Sequence, residues 1–233
     1  MGSIIDDPRL RDKRFVFSDR HDAGKKLGFF LTSRPLLQEP VVIAIPAGGV
    51  PVGVEIARLL RAPLSLAIVR KIQVPGNTEA GFGAVTWDGH VLINEQLRNT
   101  LGLSQNEVDT AIAATRRNIR DRIARFATGR PFPDLTKKCV ILTDDGLASG
   151  YTMLAAVTSI RTMNPQRVIV AIPTSSASSA ERIAREVDEV ICLNIRTGQR
   201  FAVAEAYRTW YDLDDREVIA ELASVTETYG KPV

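Results

Sequence analysis

Five short runs of apolar, largely β-branched residues constrain this chain more than any other feature. They are Val41–Ile45, Leu64–Val69, Val140–Thr143, Arg167–Ile172 and Glu189–Leu193. A strand with one wet face alternates apolar and polar residues, whereas continuous runs suit parallel strands covered on both faces. Helical patterns lie between them, at Val52–Arg61, Gln105–Ala127, Thr152–Met163 and Ser178–Val187. Strand and helix in alternation predict an α/β fold with a doubly wound, mainly parallel sheet and right-handed crossovers. With 233 residues, 45% of them hydrophobic, the chain can bury the core that such a domain needs.

The middle of the chain breaks the rhythm. Gly81–Thr86 and His90–Ile93 flank Trp87-Asp88-Gly89, and an Asp-Gly turn between apolar runs predicts a β-hairpin. A capping-box pattern, Ser104 with Glu107, opens the following helix, and its run Arg116, Arg117, Arg120, Asp121, Arg122, Arg125 reads as a solvated face. Near the start, a helix runs to about Leu31, with Asp19 a candidate N-cap. The termini lack an α/β pattern. The expectation is one domain over 1–233, with a core over 19–193. Residues 1–18 and 194–233 would form a small cap over the sheet's C-terminal edge.

The segment with the most chemistry is Thr143-Asp144-Asp145-Gly146-Leu147-Ala148-Ser149-Gly150-Tyr151-Thr152, between an apolar strand and an apolar helix. Ligands of open α/β sheets bind beyond the strands' carboxyl ends. Backbone N–H groups at a helix start favour an anion there, Gly146 and Gly150 permit close approach, and the Ser149 and Thr152 hydroxyls can donate to phosphate. Asp144 and Asp145 would repel a bare phosphate, so a sugar's vicinal hydroxyls or a bound divalent cation fits them better. Standing alone, Asp-Asp-Gly would be only a turn and Ser-Gly-Tyr-Thr only a cap. Neither G-x-x-x-x-G-K-[ST] nor G-x-G-x-x-G after a strand is present, and Gly-Leu-Ala-Ser-Gly is mis-spaced for a nucleophile elbow.

Ile141–Thr152 resembles the phosphoribosyl-diphosphate loop of type I phosphoribosyltransferases, typically two hydrophobic residues, x-Asp-Asp-x-x-Ala-Thr-Gly-x-Thr, with Ser149 in place of the threonine. The resemblance implies that Asp144 and Asp145 hold the ribose hydroxyls, and through them or directly Mg2+, while Ala148–Thr152 cradles the 5-phosphate. Ile45–Gly53 resembles the family's diphosphate loop, with Pro46, Ala47, Gly48 and Gly49 as its contacts. Ala47 stands where relatives often carry arginine. Arg70 and Lys71 end the second strand and are either a polar strand end or cations that balance a leaving diphosphate. Ile72–Glu79 resembles the mobile catalytic loop, an expectation strengthened by its few apolar anchors. Glu79 is an acid–base group or a loop-closing ion pair. Phe17-Ser18-Asp19-Arg20-His21-Asp22-Ala23-Gly24 matches a Phe-x-Asp-Arg-x-x-Ala-Gly pattern of uncharacterised stand-alone members, without a chemical role evident from the residues.

The implied activity is transfer of a phosphoribosyl group from 5-phosphoribosyl 1-diphosphate to a nitrogen acceptor such as a nucleobase. The acceptor is unidentified. Phe201, Tyr207, Trp210 and Tyr211 either stack it or belong to the core. A non-catalytic sensor of the same ligand is the alternative, which Ala47 favours; a sugar-phosphate hydrolase using Asp144 and Asp145 lacks further metal-binding carboxylates. Net charge +3, without a basic block, gives no reason to expect nucleic acid. Cys139 and Cys192 sit in apolar runs and read as core residues rather than zinc ligands. No signal-like or membrane-spanning run is evident, so a cytoplasmic protein is expected, with a homodimer as its assembly.

Overall fold

The computed structural model describes residues 2–34, 39–126, 132–198 and 200–226, apart from the side chains of Thr78, Glu79 and Thr226. In chain order the elements are β1 (Ser3–Asp6), α1 (Arg20–Thr32), β2 (Pro40–Ala44), α2 (Gly49–Leu60), β3 (Leu64–Leu66), β4 (Val69–Val74), β5 (Asn77–Thr86) and β6 (Val91–Ile93). They continue as α3 (Glu95–Thr100), α4 (Gln105–Phe126), β7 (Cys139–Thr143), α5 (Tyr151–Arg161), β8 (Arg167–Ser176), α6 (Ala177–Ala184), β9 (Glu189–Arg196) and α7 (Asp215–Thr226).

The main sheet is wholly parallel, in the order β1-β9-β8-β7-β2-β3. Its inner strands β2, β7, β8 and β9 are largely apolar because both faces are covered. From β7, Val140 and Leu142 join the layer of Met153, Val157, Ile160 and Ile183 beneath α5 and α6. Cys139 and Ile141 point the other way, into the layer of Leu27, Leu31, Val52 and Ile56 under α1 and α2. This two-residue alternation between two dry faces explains the continuous runs.

The run Leu64–Val69, expected as one strand, is divided. Leu64–Leu66 pairs with β2, after which Val69–Val74 joins an antiparallel sheet, β4-β5-β6. The Asp88-Gly89 turn connects β5 to β6, with Gly89 N–H donating to Thr86 O at 2.9 Å. This small sheet, α4 and α7 bury a third cluster that includes Ile68, Ile72, Phe82, Val108, Ile119 and Val218. The Ser104–Glu107 capping box opens α4 as expected: Glu107 N–H donates to Ser104 Oγ at 3.3 Å, and Ser104 N–H to Glu107 Oε2 at 2.9 Å.

The expected cap is only partly such. Ser3–Asp6 extends the main sheet as an edge strand beside β9, which satisfies its backbone groups. At the other end, α7 docks on α2 and α4 rather than over the sheet's edge. The segment Phe17 and Val203–Trp210 packs as an aromatic layer on the α1 side. Among the described residues, no helix is long and apolar enough to cross a membrane.

Candidate functional site

Strands β2 and β7 are neighbours, with Ala44 opposite Thr143. Two loops about a hundred residues apart in sequence therefore leave the sheet side by side, and Ile45 N–H donates to Thr143 O at 2.9 Å. Their contact is close. A Cβ on Gly48 would lie 1.9 Å from Asp145 Oδ2, so any side chain there would displace the carboxylate. The small residues of Pro46–Gly49 thus make room for the acidic loop, a reason the sequence alone did not disclose.

The two carboxylates differ. Asp145 Oδ2 accepts from Arg20 Nε at 2.9 Å, and its backbone O accepts from the Tyr207 hydroxyl at 2.6 Å. Asp144 has no cationic side chain in contact among the described residues; its Oδ1 accepts from Asp145 N–H at 2.8 Å. Burial, and after it the Asp145 charge, holds the Asp144 carboxyl well above the usual carboxylate range. Burial also raises Asp145, and Arg20 partly offsets it. Burial likewise pushes the Tyr207 hydroxyl well up, so it stays a neutral donor.

Downstream, Gly146 lies under Val203, and Leu147 is a core side chain whose N–H and O bond to β8. Leu147 therefore anchors the loop and does not face a ligand. Ala148 O accepts from the Ser179 hydroxyl of α6, and Ser149 O accepts from Arg182 Nη1 at 3.0 Å. In trans peptides the N–H opposes the C=O, so tying these carbonyls to α6 turns the Ser149 and Gly150 N–H groups outward. Gly150 has φ +76°, a conformation few other residues adopt, and α5 begins directly after it without a side-chain cap. Among the described residues, the N–H groups of Ser149, Gly150 and Thr152 have no hydrogen-bond partner outside the helix. That is an anion cradle at a helix start. Tyr151 is held by Asn94, which donates to its hydroxyl at 2.8 Å, and by Arg182 above its ring.

A cavity of about 960 Å³ opens in front of these loops. Pro46, Asp144 and Thr152 from the parallel sheet's loops line it, together with Arg70 and Lys71 of β4, the β4–β5 turn and α4. Arg70 makes no ion pair among the described residues, and burial, with Arg122 nearby, lowers its pKa from the usual guanidinium value. It remains charged. The Ile72–Glu79 loop expected to have few anchors is a β-hairpin end instead. Ile72 is fully buried, and Val74 pairs with Asn77. Glu79's side chain lies outside the described residues. Ala47 contacts the third cluster from its edge.

The Phe-x-Asp-Arg-x-x-Ala-Gly segment acquires a role residue by residue. Phe17 packs on Tyr207 with ring centroids 5.6 Å apart, and Asp19 caps α1 by accepting from Asp22 N–H at 2.8 Å. Arg20 reaches Asp145. Gly24 lets α1 approach α2, since a Cβ there would stand 2.8 Å from Val52 O. Arg20, Tyr207 and Trp210 are the site residues that sequence reasoning missed or left open. Nothing local marks an ion pair across 125 positions.

The donor set also bears on a metal ion. No group of three or more His, Cys, Asp or Glu residues forms a metal cage among the described residues. Mg2+ is commonly held by one or two carboxylates plus substrate phosphates, and the uncompensated Asp144 beside an anion cradle fits that arrangement.

The family model for the phosphoribosyl transferase domain matches residues 35–207. The chain belongs to the phosphoribosyl transferase family. Two Mycobacterium tuberculosis proteins, from strains H37Rv and CDC 1551, each bear the name "Putative phosphoribosyl transferase" and are 35% identical over 207 residues, 89% of this chain. The chain spans 46% of the length of those curated relatives. The crystal structure of TT1426 from Thermus thermophilus superposes with TM-score 0.74 at 34% identity, covering 91% of this chain and 99% of that one. The six-stranded parallel sheet with helices on both faces is thus the phosphoribosyltransferase architecture expected from the sequence.

Proposed function

We propose that the protein binds 5-phosphoribosyl 1-diphosphate with Mg2+ and transfers its phosphoribosyl group to a nitrogen acceptor. The observation that carries this reading is the pairing of Ala44 with Thr143, which sets Pro46–Gly49 against Asp144–Asp145 beside an open anion cradle. In this reading the N–H groups of Ser149–Thr152 and the Thr152 hydroxyl hold the 5-phosphate. Asp144 receives the ribose hydroxyls. The Pro46–Gly49 backbone, Arg70 and Lys71 face the diphosphate. Mg2+, when bound, would neutralise charge on the diphosphate.

The C1–O bond to diphosphate breaks with its electron pair leaving on oxygen, the acceptor nitrogen forms the new C1–N bond, and that nitrogen gives up its proton to the departing diphosphate or to water. Positive charge develops on the ribose ring and negative charge on the departing diphosphate, which Arg70 and Lys71 stabilise. Acceptor binding would exclude water from the cleft and so limit hydrolysis.

Ala47 favours a second reading, a sensor that binds the same ligand without turnover. One pair of measurements separates them. Calorimetric titration of phosphoribosyl diphosphate should give Mg2+-dependent binding, and a panel of nucleobases should then release diphosphate. Binding without turnover on any base supports the sensor. Absence of binding at millimolar ligand with Mg2+ refutes both.

A further inference from the structure

Arg20 is the cation nearest the acidic loop, and its surroundings hold it in one place. Its side chain is 7% exposed. Nε donates to Asp145 Oδ2 at 2.9 Å, Nη1 donates to Tyr211 O at 2.8 Å, and the guanidinium lies 3.8 Å over the Trp210 ring. Trp210 in turn packs on Tyr207, whose hydroxyl donates to Asp145 O. Asp145 is therefore gripped at its carboxylate and at its backbone by the same aromatic layer. On the carboxylate's other side stands Gly48, with no room for a Cβ. Asp144, one residue earlier, meets no cation among the described residues and lines the cavity.

We propose that Arg20 is a positioning residue that clamps Asp145 beside Gly48 and cancels its charge, so that Asp144 alone presents negative charge to the ligand. The proposal rests on the reading of the cleft as a phosphoribosyl site. The paired acids of the loop are then unlike in work. Asp145 fastens the acidic loop, the diphosphate loop and the C-terminal aromatic segment together, and Asp144 meets the sugar hydroxyls or their cation. Two uncompensated carboxylates would instead repel a phosphorylated sugar and hold a free divalent cation more tightly. Arginine suits the task because its planar fork can bond two acceptors while stacking on an indole, which lysine cannot do.

The test uses the metal alone and the sugar phosphate alone. Mn2+ binding is followed by electron paramagnetic resonance, and metal-free ribose 5-phosphate binding by calorimetry, in wild type, Arg20→Gln, Arg20→Lys and Arg20→Gln/Asp145→Asn. Removing one positive charge within hydrogen-bond range of the site should, in Arg20→Gln, tighten Mn2+ and weaken ribose 5-phosphate, each about tenfold. The double variant, with both charges gone, should return Mn2+ to within about threefold of wild type. A role confined to packing would weaken both ligands together. Parallel loss of both, or unchanged Mn2+ affinity, in Arg20→Gln overturns the proposal. Should that variant not fold, Arg20→Lys carries the comparison: it keeps the charge and loses the fork, so ribose 5-phosphate weakens while Mn2+ does not change. Tighter Mn2+ in the lysine variant overturns the proposal as well. A wild type that binds neither probe overturns this inference alone if it still binds phosphoribosyl diphosphate with Mg2+; if it does not bind that ligand either, the phosphoribosyl reading of the site falls as well.

Discussion

At the scale of single residues, Asp144 sets function against stability. Burial and the adjacent Asp145 raise its pKa in the folded protein, so it takes up a proton more readily there than in the unfolded chain. A raised carboxyl contributes stability that is present below the unfolded pKa, about 3.9, and is lost as pH rises through the folded value. At neutral pH, above the unfolded value, holding this carboxyl in its buried place therefore costs the ligand-free fold stability. Asp144→Asn should raise the melting temperature of the ligand-free protein at neutral pH and weaken metal-dependent binding of phosphoribosyl diphosphate at least about tenfold. A lower melting temperature together with intact binding would contradict both halves. Ala47 is the complementary case, a lost interaction. An arginine there would extend from beside Pro46, which lines the cavity, and form charge-assisted bonds of roughly 1.5–3 kcal/mol each to a diphosphate. Ala47→Arg should tighten phosphoribosyl diphosphate about tenfold and leave ribose 5-phosphate unchanged, because the 5-phosphate cradle is a separate helix terminus. Equal tightening of both ligands would indicate only general charge attraction. The acidic loop was readable from sequence because its chemistry is contiguous. Arg20 was not, since its partner is brought near only by the fold.

At the scale of elements, His21 joins three helices. Its Nδ1 lies 3.0 Å from Glu55 of α2, and its Nε2 lies 2.9 Å from Glu221 of α7. Both partners are acceptors, so only the doubly protonated ring satisfies them together. Arg58 also pairs with Glu55 at 3.1 Å and donates to Ser224 of α7 at 2.8 Å, so a second cation shares the load. Hydrogen bonding to Glu221 is the largest cause of a raised His21 pKa; burial opposes it. For such a group the contribution is complete below the unfolded pKa, about 6.5, and disappears as pH rises through the folded value. Melting curves of wild type and His21→Gln should therefore differ most at acid pH and converge on the alkaline side. A gap that stays constant with pH would show that the imidazolium has no part in docking α7. The same scale explains which elements were legible. Strands β7, β8 and β9 announced themselves because both faces are dry. β1 did not: Ser3–Asp6 has only two apolar residues, and its strand character comes from pairing with β9. The β3–β4 division was hidden because only Ser65 interrupts the apolar run Leu64–Val69, although the chain changes sheets within it. Periodicity reports burial but not the sheet that supplies it.

At the scale of the whole molecule, the cleft separates two bodies of unlike construction. One is the parallel sheet, whose strand ends carry Pro46–Gly49 and Asp144–Thr152; the other is the antiparallel sheet with α4. The second body reaches the cavity through Arg70, Lys71 and the turn Val74–Asn77, so a bound diphosphate would bridge the two. Its root is firm, since Ile72 and Phe82 are fully buried, whereas Pro75, Gly76 and Asn77 are exposed and a Cβ on Gly76 would meet nothing within 4 Å. Closure would therefore be confined to the hairpin tip. Amide hydrogen exchange reads this directly, because local opening costs little where few apolar contacts exist. Adding phosphoribosyl diphosphate with Mg2+ should protect the amides of Gly76 and Asn77 and those of Ser149–Thr152. The amide of Ile72, already within the third core cluster, should change little. At ligand about 100-fold above its dissociation constant the whole domain should also gain roughly 2.7 kcal/mol against unfolding, which raises every globally exchanging amide together. Protection at Ser149–Thr152 without any at Gly76–Asn77 would mean that the sheet's loops bind the ligand alone and the hairpin is not a lid. Protection at the hairpin alone would move the ligand away from the acidic loop.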